Sequence, residues 1–211
     1  MAYSFVAASS QYLSVSNAPV TGVPITIACR FNATAVGTNL ALVQLSNSTG
    51  SDRFLLSIAA TNTPLRAFVQ AGGATTAESD YNGVTANTDN HGAAVFAANN
   101  SRTAYLNGLA ATTNTQTVNV GAVDRFDVGA RLFSSAWGLF YGGTIWELGI
   151  WDVALTGPEI TSLSKGFKCN RVRPQNLKFY APLVRDLIDV RGGVTITNNN
   201  TATVAVQPRV Y

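Results

Sequence analysis

The sequence predicts an all-β protein, built as an antiparallel sandwich or barrel with one short helix. Short apolar runs recur along the 211 residues and are separated by Gly, Asn, Pro and Ser, which is typical of such folds. Charged residues make up only 12% of the chain, whereas the surface of a helical bundle needs many Glu and Lys side chains. The uncharged polar remainder is rich in Thr, Asn and Ser, which favour strands and turns.

The candidate strands follow one another from the N-terminus. In 24–31 the apolar residues alternate with others, so they share one face of a strand. Asn107 and Gly108 separate two runs in 102–112 and predict a hairpin, because both central residues of a type I′ turn need positive φ. Further strand-like runs are NLALVQLS (39–46), RFLLSIAA (53–60), LRAFVQAG (65–72), GAAVFAA (92–98), RFDVGARL (125–132), GTIWELGIW (143–151), LKFYAPL (177–183), GVTIT (193–197) and ATVAVQ (202–207).

A single helix is predicted near 156–165. Thr156 stands before it as an N-cap residue and Glu159 follows three positions later, which is the pattern of a capping box. Pro158 suits the first turn, where a missing backbone N–H costs nothing. Gly166 suits the C-terminal end of the helix.

Residues 143–151 place two tryptophans and a glutamate on one predicted strand. Successive side chains of a regular strand point to opposite faces. We therefore expect a core-facing set that consists of Trp146, Leu148 and Ile150. The opposite face would carry Ile145, Glu147, Gly149 and Trp151. Trp151 is expected to pack under the helix, against Ile160 and Leu163, whereas the pattern leaves Glu147 without a structural role.

We interpret residues 1–211 as one domain, in which 166–211 form a C-terminal extension with the closing strands. The N-terminus lacks the basic and apolar segments of a Sec signal peptide, and no run approaches the roughly 18–20 apolar residues of a membrane span. A protein that starts in the cytoplasm and has no membrane partner is therefore expected. Cys29 and Cys169 are too few for a disulfide framework, so both are expected to be free thiols.

The side chains of common catalytic sites are scarce, so no enzyme is expected. His91 is the only histidine and no G-x-S-x-G motif accompanies it, which argues for a structural role at the start of a strand. A glycosidase needs two carboxylates that flank the bond. The only glutamates are Glu78, Glu147 and Glu159; Glu159 is used by the helix cap, and no second acid stands two positions after Glu147.

Calcium is the alternative to a chain without a cofactor. This ion needs several oxygen ligands, and the loop from 78 to 90 offers Asp80, Asp89 and Asn90. Such residues are also common in plain turns. The expected cofactor state is therefore none, with a calcium site at this loop as the weaker candidate.

Positive charge is concentrated late in the chain, although the formal net charge is only +3. The run from 165 to 178 contains no acidic residue and is either a solvated segment or a patch that docks an acidic partner surface. The basic candidates for docking are Lys165, Lys168, Arg171, Arg173, Lys178 and, near the C-terminus, Arg209. Nucleic acid is not an expected partner, because no interleaved aromatics or Gly-rich RNA motif accompany these residues.

Five segments occur in an order that resembles a known family. They are SQYLSV…PITIACRF, HGAAVF…SRTAYLNG, FDVGARL, GTIWELGIWDVALTGPEITSL and LKFYAPLVRDLIDVRGG. This order is similar to that of the laminin-G-like domains of the concanavalin A-like lectin/glucanase superfamily. The resemblance covers roughly residues 3–165 and implies a jelly-roll β-sandwich.

The C-terminal part, with its L-x-x-Y-x-P-L stretch and the QPRVY ending, resembles the tails of laminin-G-like proteins from phage and marine viral genomes. This resemblance implies a non-enzymatic virion protein, namely a capsid decoration protein or a head-fibre or tail-associated protein. The implied partners are the major capsid protein or other virion proteins, and a second copy in a homo-oligomer, with a trimer favoured. The implied location is the virion surface, after assembly in the host cytoplasm.

A lectin-like carbohydrate-binding module is the alternative function. Tyr81, Trp137 and Tyr141 are the candidate ligand-binding residues, because exposed aromatic rings can stack on sugar rings. The stretch 134–143 is rich in Gly and aromatics and is expected to form a loop at one end of the sandwich, although its aromatics could equally fold over the sandwich edge. The two functions overlap, because a decoration protein can hold a cell-surface glycan.

Overall fold

Strands dominate the computed structural model, which describes residues 1–206 of the chain. In chain order the strands are β1 (Ala2–Phe5), β2 (Tyr12–Val15), β3 (Ile25–Ala33), β4 (Leu40–Ser46), β5 (Arg53–Ile58), β6 (Leu65–Ala71), β7 (Thr75–Tyr81), β8 (Asn90–Ala98), β9 (Ser101–Leu106), β10 (Leu109–Ala110), β11 (Arg125–Val128), β12 (Arg131–Phe133), β13 (Ala136–Gly138), β14 (Gly143–Trp151), β15 (Leu177–Ala181), β16 (Thr197–Asn199) and β17 (Thr203–Ala205). The helix α1 spans Gly157–Ser164, and short 3-10 turns lie at Ala7–Ser9 and Cys169–Arg171. The predicted docking residue Arg209 lies outside the described residues.

Two antiparallel sheets form a sandwich. The eight-stranded sheet has the order β10-β9-β8-β3-β14-β1-β17, and β15 pairs with β14 beside this path. The seven-stranded sheet has the order β16-β2-β11-β4-β5-β6-β7, and β12 and β13 form a separate hairpin. The all-β antiparallel sandwich predicted from the apolar runs is therefore confirmed.

The main core lies between the two sheets. Phe54 of β5 packs against Phe96 of β8, with ring centroids 5.1 Å apart. Phe126 of β11 meets Phe179 of β15 edge-on, at 4.7 Å between centroids. Each pair joins the seven-stranded sheet to the eight-stranded one, so these buried rings help to set how the sheets pack.

The helix forms a further layer on the outer face of the eight-stranded sheet. Ile160 and Leu163 of α1 belong to a second apolar cluster that contains Trp151. The indole Nε1 of Trp151 donates to the carbonyl oxygen of Val172 at 2.9 Å, so the buried ring has no unsatisfied polar atom. The predicted packing of Trp151 under the helix is confirmed.

Local sequence signals at the ends of α1 and at residues 107–108 are also confirmed. Glu159 Oε2 accepts a hydrogen bond from the backbone nitrogen of the N-cap residue Thr156 at 2.7 Å, within a capping box. Gly166 follows the helix with φ of 100°. Asn107 and Gly108 have φ of 52° and 85° and connect β9 to β10 as a hairpin.

A β-bulge in β14 overturns the predicted faces of that strand. Trp146 lies opposite Arg30 of β3, and the register then shifts before it resumes at Gly149. The extra residue, with Glu147 at φ of 49°, exchanges the faces of the residues before it. The core-facing residues are therefore Ile145, Leu148 and Ile150. Trp146 lies on the outer face beside Arg30, so the predictions for Trp146 and Ile145 were wrong.

Both cysteines, Cys29 and Cys169, are free thiols, as predicted, and both are buried. Burial raises the pKa of the Cys29 thiol to about 12, so it stays protonated and unreactive. Within residues 1–206, no helix has the length and apolar character needed to cross a membrane.

Candidate functional site

The outer face of the seven-stranded sheet is polar, and the strand pattern of β6 explains why. Leu65, Ala67 and Val69 point into the core. The alternate residues, Arg66 and Phe68, are partly exposed on the opposite face. β5 alternates in the same way, as does β4 after a register shift between Ala41 and Val43, so charged, amide and hydroxyl side chains line up across this face.

The β12–β13 hairpin lies over part of this polar face. Gln44 Nε2 on β4 donates to the carbonyl oxygen of Leu132 at 2.9 Å, and Ser135 N donates to the carbonyl oxygen of Thr49 at 3.0 Å. Gly50 makes the close approach possible: a Cβ there would lie 2.2 Å from the Leu132 carbonyl oxygen, and its φ is +73°. The hairpin is thus held by the sheet and by the loop before β5.

A groove of about 110 Å³ opens beside the base of this hairpin. Its lining combines amide, hydroxyl and guanidinium groups with apolar and aromatic surface, and consists of Asn39, Leu55, Ser57, Arg66, Phe68, Arg131 and Leu139. Convergent polar groups beside apolar surface are the usual lining of a small-ligand site, and a volume below the roughly 300–1,000 Å³ of typical ligand pockets suits part of a ligand rather than a whole one. We refer to it as the sheet groove.

Three arginines in and near the sheet groove differ in their partners. Arg66 donates through Nε and Nη2 to the two carboxylate oxygens of Asp80, at 2.7 and 2.6 Å, and these hydrogen bonds raise its pKa. Arg53 is buried, and its Nη1 donates to the carbonyl oxygen of Gly50 at 2.6 Å. Burial, and then the charge of Arg131, lower the pKa of Arg53 to about 10.

Arg53 and Arg131 also share an aromatic neighbour. Their guanidinium carbons lie 4.8 and 5.3 Å from the ring centroid of Phe133, on β12. Burial lowers the pKa of Arg131 as well. Because neither arginine forms an ion pair with a described carboxylate, this corner of the face carries uncompensated positive charge.

Unpartnered polar atoms are concentrated on this face. Ten buried side-chain polar atoms among the described residues have no hydrogen-bond partner within the protein, and seven of them lie here. The seven are Gln44 Oε1, Ser46 Oγ, Arg53 Nε, Gln70 Oε1, Arg125 Nε, Asp127 Oδ2 and Arg131 Nε. Such atoms are rare in folded proteins and call for an explanation, so this polar layer is a candidate for ligand binding.

Trp137, a predicted ligand-binding residue, lies on the hairpin next to this layer. Its ring stacks on Tyr12 with centroids 5.2 Å apart, and Arg125 lies 5.2 Å from its centroid. Its Nε1 donates to Asp127 Oδ1 at 3.3 Å. The ring is 37% exposed, but these contacts already use much of its surface.

The other two predicted aromatics do not join Trp137. Tyr141 is fully buried, where its ring meets the edge of Phe5 and its hydroxyl donates to the carbonyl oxygen of Thr144. The expectation that Tyr141 is exposed was wrong, because the chain turns into the core there. Tyr81 packs partly against the core from β7, at the sheet edge opposite the strand that contacts Trp137.

The three candidate calcium ligands are also separated by their bonding. Asp80, on β7, accepts hydrogen bonds from Arg66 of β6, whereas Asp89 accepts from Asn32 Nδ2 at 2.8 Å. Asn90 is buried and bonds to Asn107 and to the backbone of Thr88. In the part of the chain that the structure describes, no three His, Cys, Asp or Glu side chains cluster as a metal site.

The predicted docking residues fall into two groups. Arg173 pairs with Glu159 at 2.5 Å and Lys178 with Asp152 at 2.9 Å, so these two cations are compensated within the fold. Lys165, Lys168 and Arg171 form no ion pair with a described carboxylate. Lys165 and Arg171 line an open hollow of about 570 Å³ together with Phe167, which is 56% exposed, and Lys168 follows Phe167 in the chain. We refer to these four residues as the α1 loop patch.

Glu147 has a structural partner that the sequence did not reveal. The hydroxyl of Tyr180 donates to this carboxylate, with both oxygens at 2.9 Å. The thiol of Cys169 donates to the Glu147 carbonyl oxygen at 3.3 Å. Burial raises the pKa of Glu147, although the Tyr180 hydrogen bond acts the other way. This cluster anchors the bulge of β14 to β15.

Sequence reasoning missed the residues of the sheet groove. The alternation in LRAFVQ was visible and could have placed Arg66 and Phe68 on one outer face. The juxtaposition with Arg131 was not visible, because this residue arrives on a separate hairpin far along the chain.

The fold and the sheet groove together define a jelly-roll sandwich of the lectin type, with a polar groove on one outer face. The chain belongs to the concanavalin A-like lectin/glucanases superfamily, since the sequence model of a laminin-G-type family within it matches residues 7–161. No curated protein sequence matches the chain.

Solved structures share this fold at low sequence identity. A heptameric SAP-like pentraxin from Limulus polyphemus has a TM-score of 0.70 at 12% identity, covering 95% of this chain and 90% of that one. A carbohydrate binding protein from Bacteroides ovatus, described as putative, has a TM-score of 0.65 at 17% identity, covering 96% of this chain and 61% of that one. The CBM40 of a Ruminococcus gnavus IT-sialidase, bound to α2,3-sialyllactose, has a TM-score of 0.57 at 16% identity, covering 66% and 82%.

Proposed function

We propose that the chain is a carbohydrate-binding domain that holds a saccharide in the sheet groove. The observation that carries this proposal is the lining of the groove: Asn39, Ser57, Arg66 and Arg131 present polar groups around the ring of Phe68. Saccharides need hydrogen-bonding groups for their hydroxyls and apolar surface for their C–H faces, and this lining offers both.

Preorganisation supports the proposal. Asp80 holds the Arg66 guanidinium in a fixed position through two hydrogen bonds. Asn39 Oδ1 accepts from the backbone nitrogen of Ala60 at 3.1 Å, which orients the amide. Groups that are already fixed lose little conformational entropy when a ligand binds.

The similar structures support a binding role of this kind. One is described as a putative carbohydrate binding protein, and another holds α2,3-sialyllactose. Identities of 16–17% carry the fold alone, so the ligand class remains part of the proposal.

We propose that the chain binds rather than cleaves its ligand. Glu78, Glu147 and Glu159 lie on three different elements, β7, β14 and α1. Two of these glutamates already have structural partners: Glu147 is bonded by Tyr180, and Glu159 caps the helix. This distribution does not favour the paired carboxylates that glycoside hydrolysis uses.

A glycan array with the purified chain tests the function. We expect retention on at least one class of saccharide, and Phe68→Ala should weaken it by about fivefold or more through loss of apolar contact. Leu109→Ala removes an exposed apolar side chain on the eight-stranded sheet and serves as the matched control. Failure to retain any saccharide, or equal binding by both variants, would contradict the proposal.

The α1 loop patch supports a second proposal, in which the domain docks on an acidic protein surface. Phe167 is exposed, and neither Lys165, Lys168 nor Arg171 forms an ion pair with a carboxylate among residues 1–206. We propose the major capsid protein of a phage, or another virion protein, as this partner, which would place the domain on the virion surface. A symmetric homo-oligomer, such as a trimer, would match the local symmetry of a capsid.

The docking proposal is tested by reconstitution with virions that lack the chain. Joint substitution of Lys165, Lys168 and Arg171 by Gln should abolish co-sedimentation, because the opposing charge is no longer matched. Lys178→Gln is the control, since that cation is already paired with Asp152. The proposal would be overturned if the added wild-type chain did not bind to these virions at a defined stoichiometry.

A further inference from the structure

The arginines of this fold are satisfied to different extents. Arg102 is buried and donates to Asn114 Oδ1 and to the carbonyl oxygens of Asn99 and Gln116. Arg53, equally buried, has one such bond, from Nη1 to Gly50. The guanidinium of Arg131 donates to no described residue.

This difference is an energetic anomaly, because removing a cation from water is unfavourable unless a counter-charge or hydrogen bonds replace the water. Arg53 and Arg131 both lie against the Phe133 ring, close enough for the charge of Arg131 to lower the pKa of Arg53. Each positive charge therefore makes the burial of the other less favourable. An anion placed between them and the solvent would relieve both.

Arg66 is not available to bind such an anion, because Asp80 occupies two of its donors and Glu78 lies 4.0 Å away. Arg131, by contrast, is partly exposed, lines the sheet groove and has free donors. A guanidinium presents parallel N–H groups that match the oxygens of a carboxylate or sulfate.

We propose that the sheet groove selects saccharides that carry an anionic group, a carboxylate or a sulfate, and that this group lies against Arg131, close to Arg53. The inference rests on the proposed carbohydrate-binding function and names the ligand class of the same site. Phe68 and Ser57 then contact the neutral part of the sugar, and the Arg131 pair supplies the discrimination between acidic and neutral forms.

Matched saccharides test this inference. Neutral oligosaccharides are arrayed beside their carboxylated and sulfated forms, and affinities are measured for the wild-type chain, Arg131→Gln, Arg131→Lys and Arg185→Gln. We expect acidic forms to bind at least about tenfold more tightly than neutral ones, and this preference to fall as salt is raised. The carboxylated and sulfated arms identify the anion.

The variants test whether Arg131 is responsible for the preference for acidic saccharides. Arg131→Gln should lower affinity for acidic forms about tenfold or more and change affinity for neutral forms by less than about threefold. Arg131→Lys keeps the charge and should retain part of the preference, which separates charge from a disturbed hairpin. Arg185→Gln removes an exposed arginine of the C-terminal extension and should change neither affinity.

The possible failures are distinguishable. Equal or tighter binding of neutral forms overturns the inference and leaves the carbohydrate-binding function standing. A preference for acidic forms that survives Arg131→Gln overturns the assignment to this arginine pair. Binding of no saccharide in any arm overturns the proposed function, and this inference with it.

Discussion

The two outer faces of the sandwich are covered in opposite ways. On the eight-stranded sheet, α1 and the chain after it bury Trp151, Ile160 and Leu163 in an apolar cluster. On the seven-stranded sheet, the small β12–β13 hairpin lies over a polar layer that holds seven of the ten unpartnered buried polar atoms in residues 1–206. The α1 helix completes a second apolar core, whereas the β12–β13 hairpin leaves buried hydrogen-bonding groups without partners in the protein.

The contrast indicates which face stabilises the fold and which face the proposed ligand binding would use. Apolar burial lowers the free energy of the folded chain in proportion to the area removed from water. Unsatisfied buried polar groups raise it, so they persist where they have another use. We therefore assign stability to the face covered by α1 and ligand binding to the sheet groove.

The largest expected effect on stability comes from removing a buried side chain under α1. Trp151→Ala should lower the free energy of unfolding by roughly 3–5 kcal/mol, because it leaves a cavity and an unpaired Val172 carbonyl. Trp137→Ala on the hairpin should lower it by no more than about 1–2 kcal/mol, since that ring is 37% exposed. Urea unfolding measures both, and equal losses would contradict the contrast.

A buried histidine on the helix-covered sheet should make the fold sensitive to acid. Burial, and then Arg30, lower the pKa of His91 from 6.5 to about 3. Since the unfolded chain binds this proton first, stability is lost as pH falls from 6.5 towards 3. Relative to His91→Gln, the wild type should lose about 3 kcal/mol between neutral pH and pH 4.

This loss is measured by urea unfolding at a series of pH values. The variant removes the titrating group and should show a flatter profile over the same range. Parallel profiles for the two proteins would show that His91 is not the group responsible.

The hydrogen bond between Tyr180 and Glu147 at the β14 bulge should contribute to the stability of the fold. Tyr180→Phe removes the donor to Glu147 and should lower stability by roughly 1–3 kcal/mol, because a buried carboxylate is left unpartnered. The folded pKa of Glu147 is raised by burial, so its contribution to stability falls as pH rises above the usual value of 4.5.

Adding Glu147→Gln to Tyr180→Phe removes the unpartnered charge. The double variant should recover part of the stability at neutral pH, and less below pH 4.5, where the carboxyl is protonated in both states. A double-mutant cycle with no coupling between the two positions would rule out this role for the pair.

A combined effect on stability and on saccharide affinity is expected where the hairpin meets the loop before β5. Gly50→Ala places a Cβ 2.2 Å from the Leu132 carbonyl oxygen at a positive φ, so the backbone must shift, and stability should fall by roughly 2–4 kcal/mol. Because the hairpin carries Arg131, saccharide affinity should fall severalfold with it. Gly73→Ala has a similar φ of +75° and open surroundings, so it should affect stability alone.

Features with local causes were predictable from the sequence. The capping box at Thr156 and Glu159 and the turn at Asn107 and Gly108 depend on residues adjacent in the chain, and both were confirmed. The faces of β14 were not fully predictable. One inserted residue at Glu147 reverses the earlier half of the strand, and no local pattern marks it.

The sheet groove was hidden for a related reason. Its walls come from β5, β6 and the β12–β13 hairpin, and the last of these approaches only because Gly50 lets two backbones meet. The aromatic residues in 134–143 predicted a binding loop in this region. Tyr141, however, is buried in the core, and Trp137 packs on Tyr12. Composition indicates a binding surface; only tertiary packing tells which side chains form it.

The most direct test of the division between the two faces is a two-dimensional NMR titration of the wild-type chain with the saccharide that the array retains best. We expect amide shifts to change at Ser57, Phe68 and Arg131 and to stay constant at Trp151 and Tyr180. Changes centred on Trp151 and Tyr180, with the sheet groove unaffected, would contradict the assignment of binding to the seven-stranded sheet.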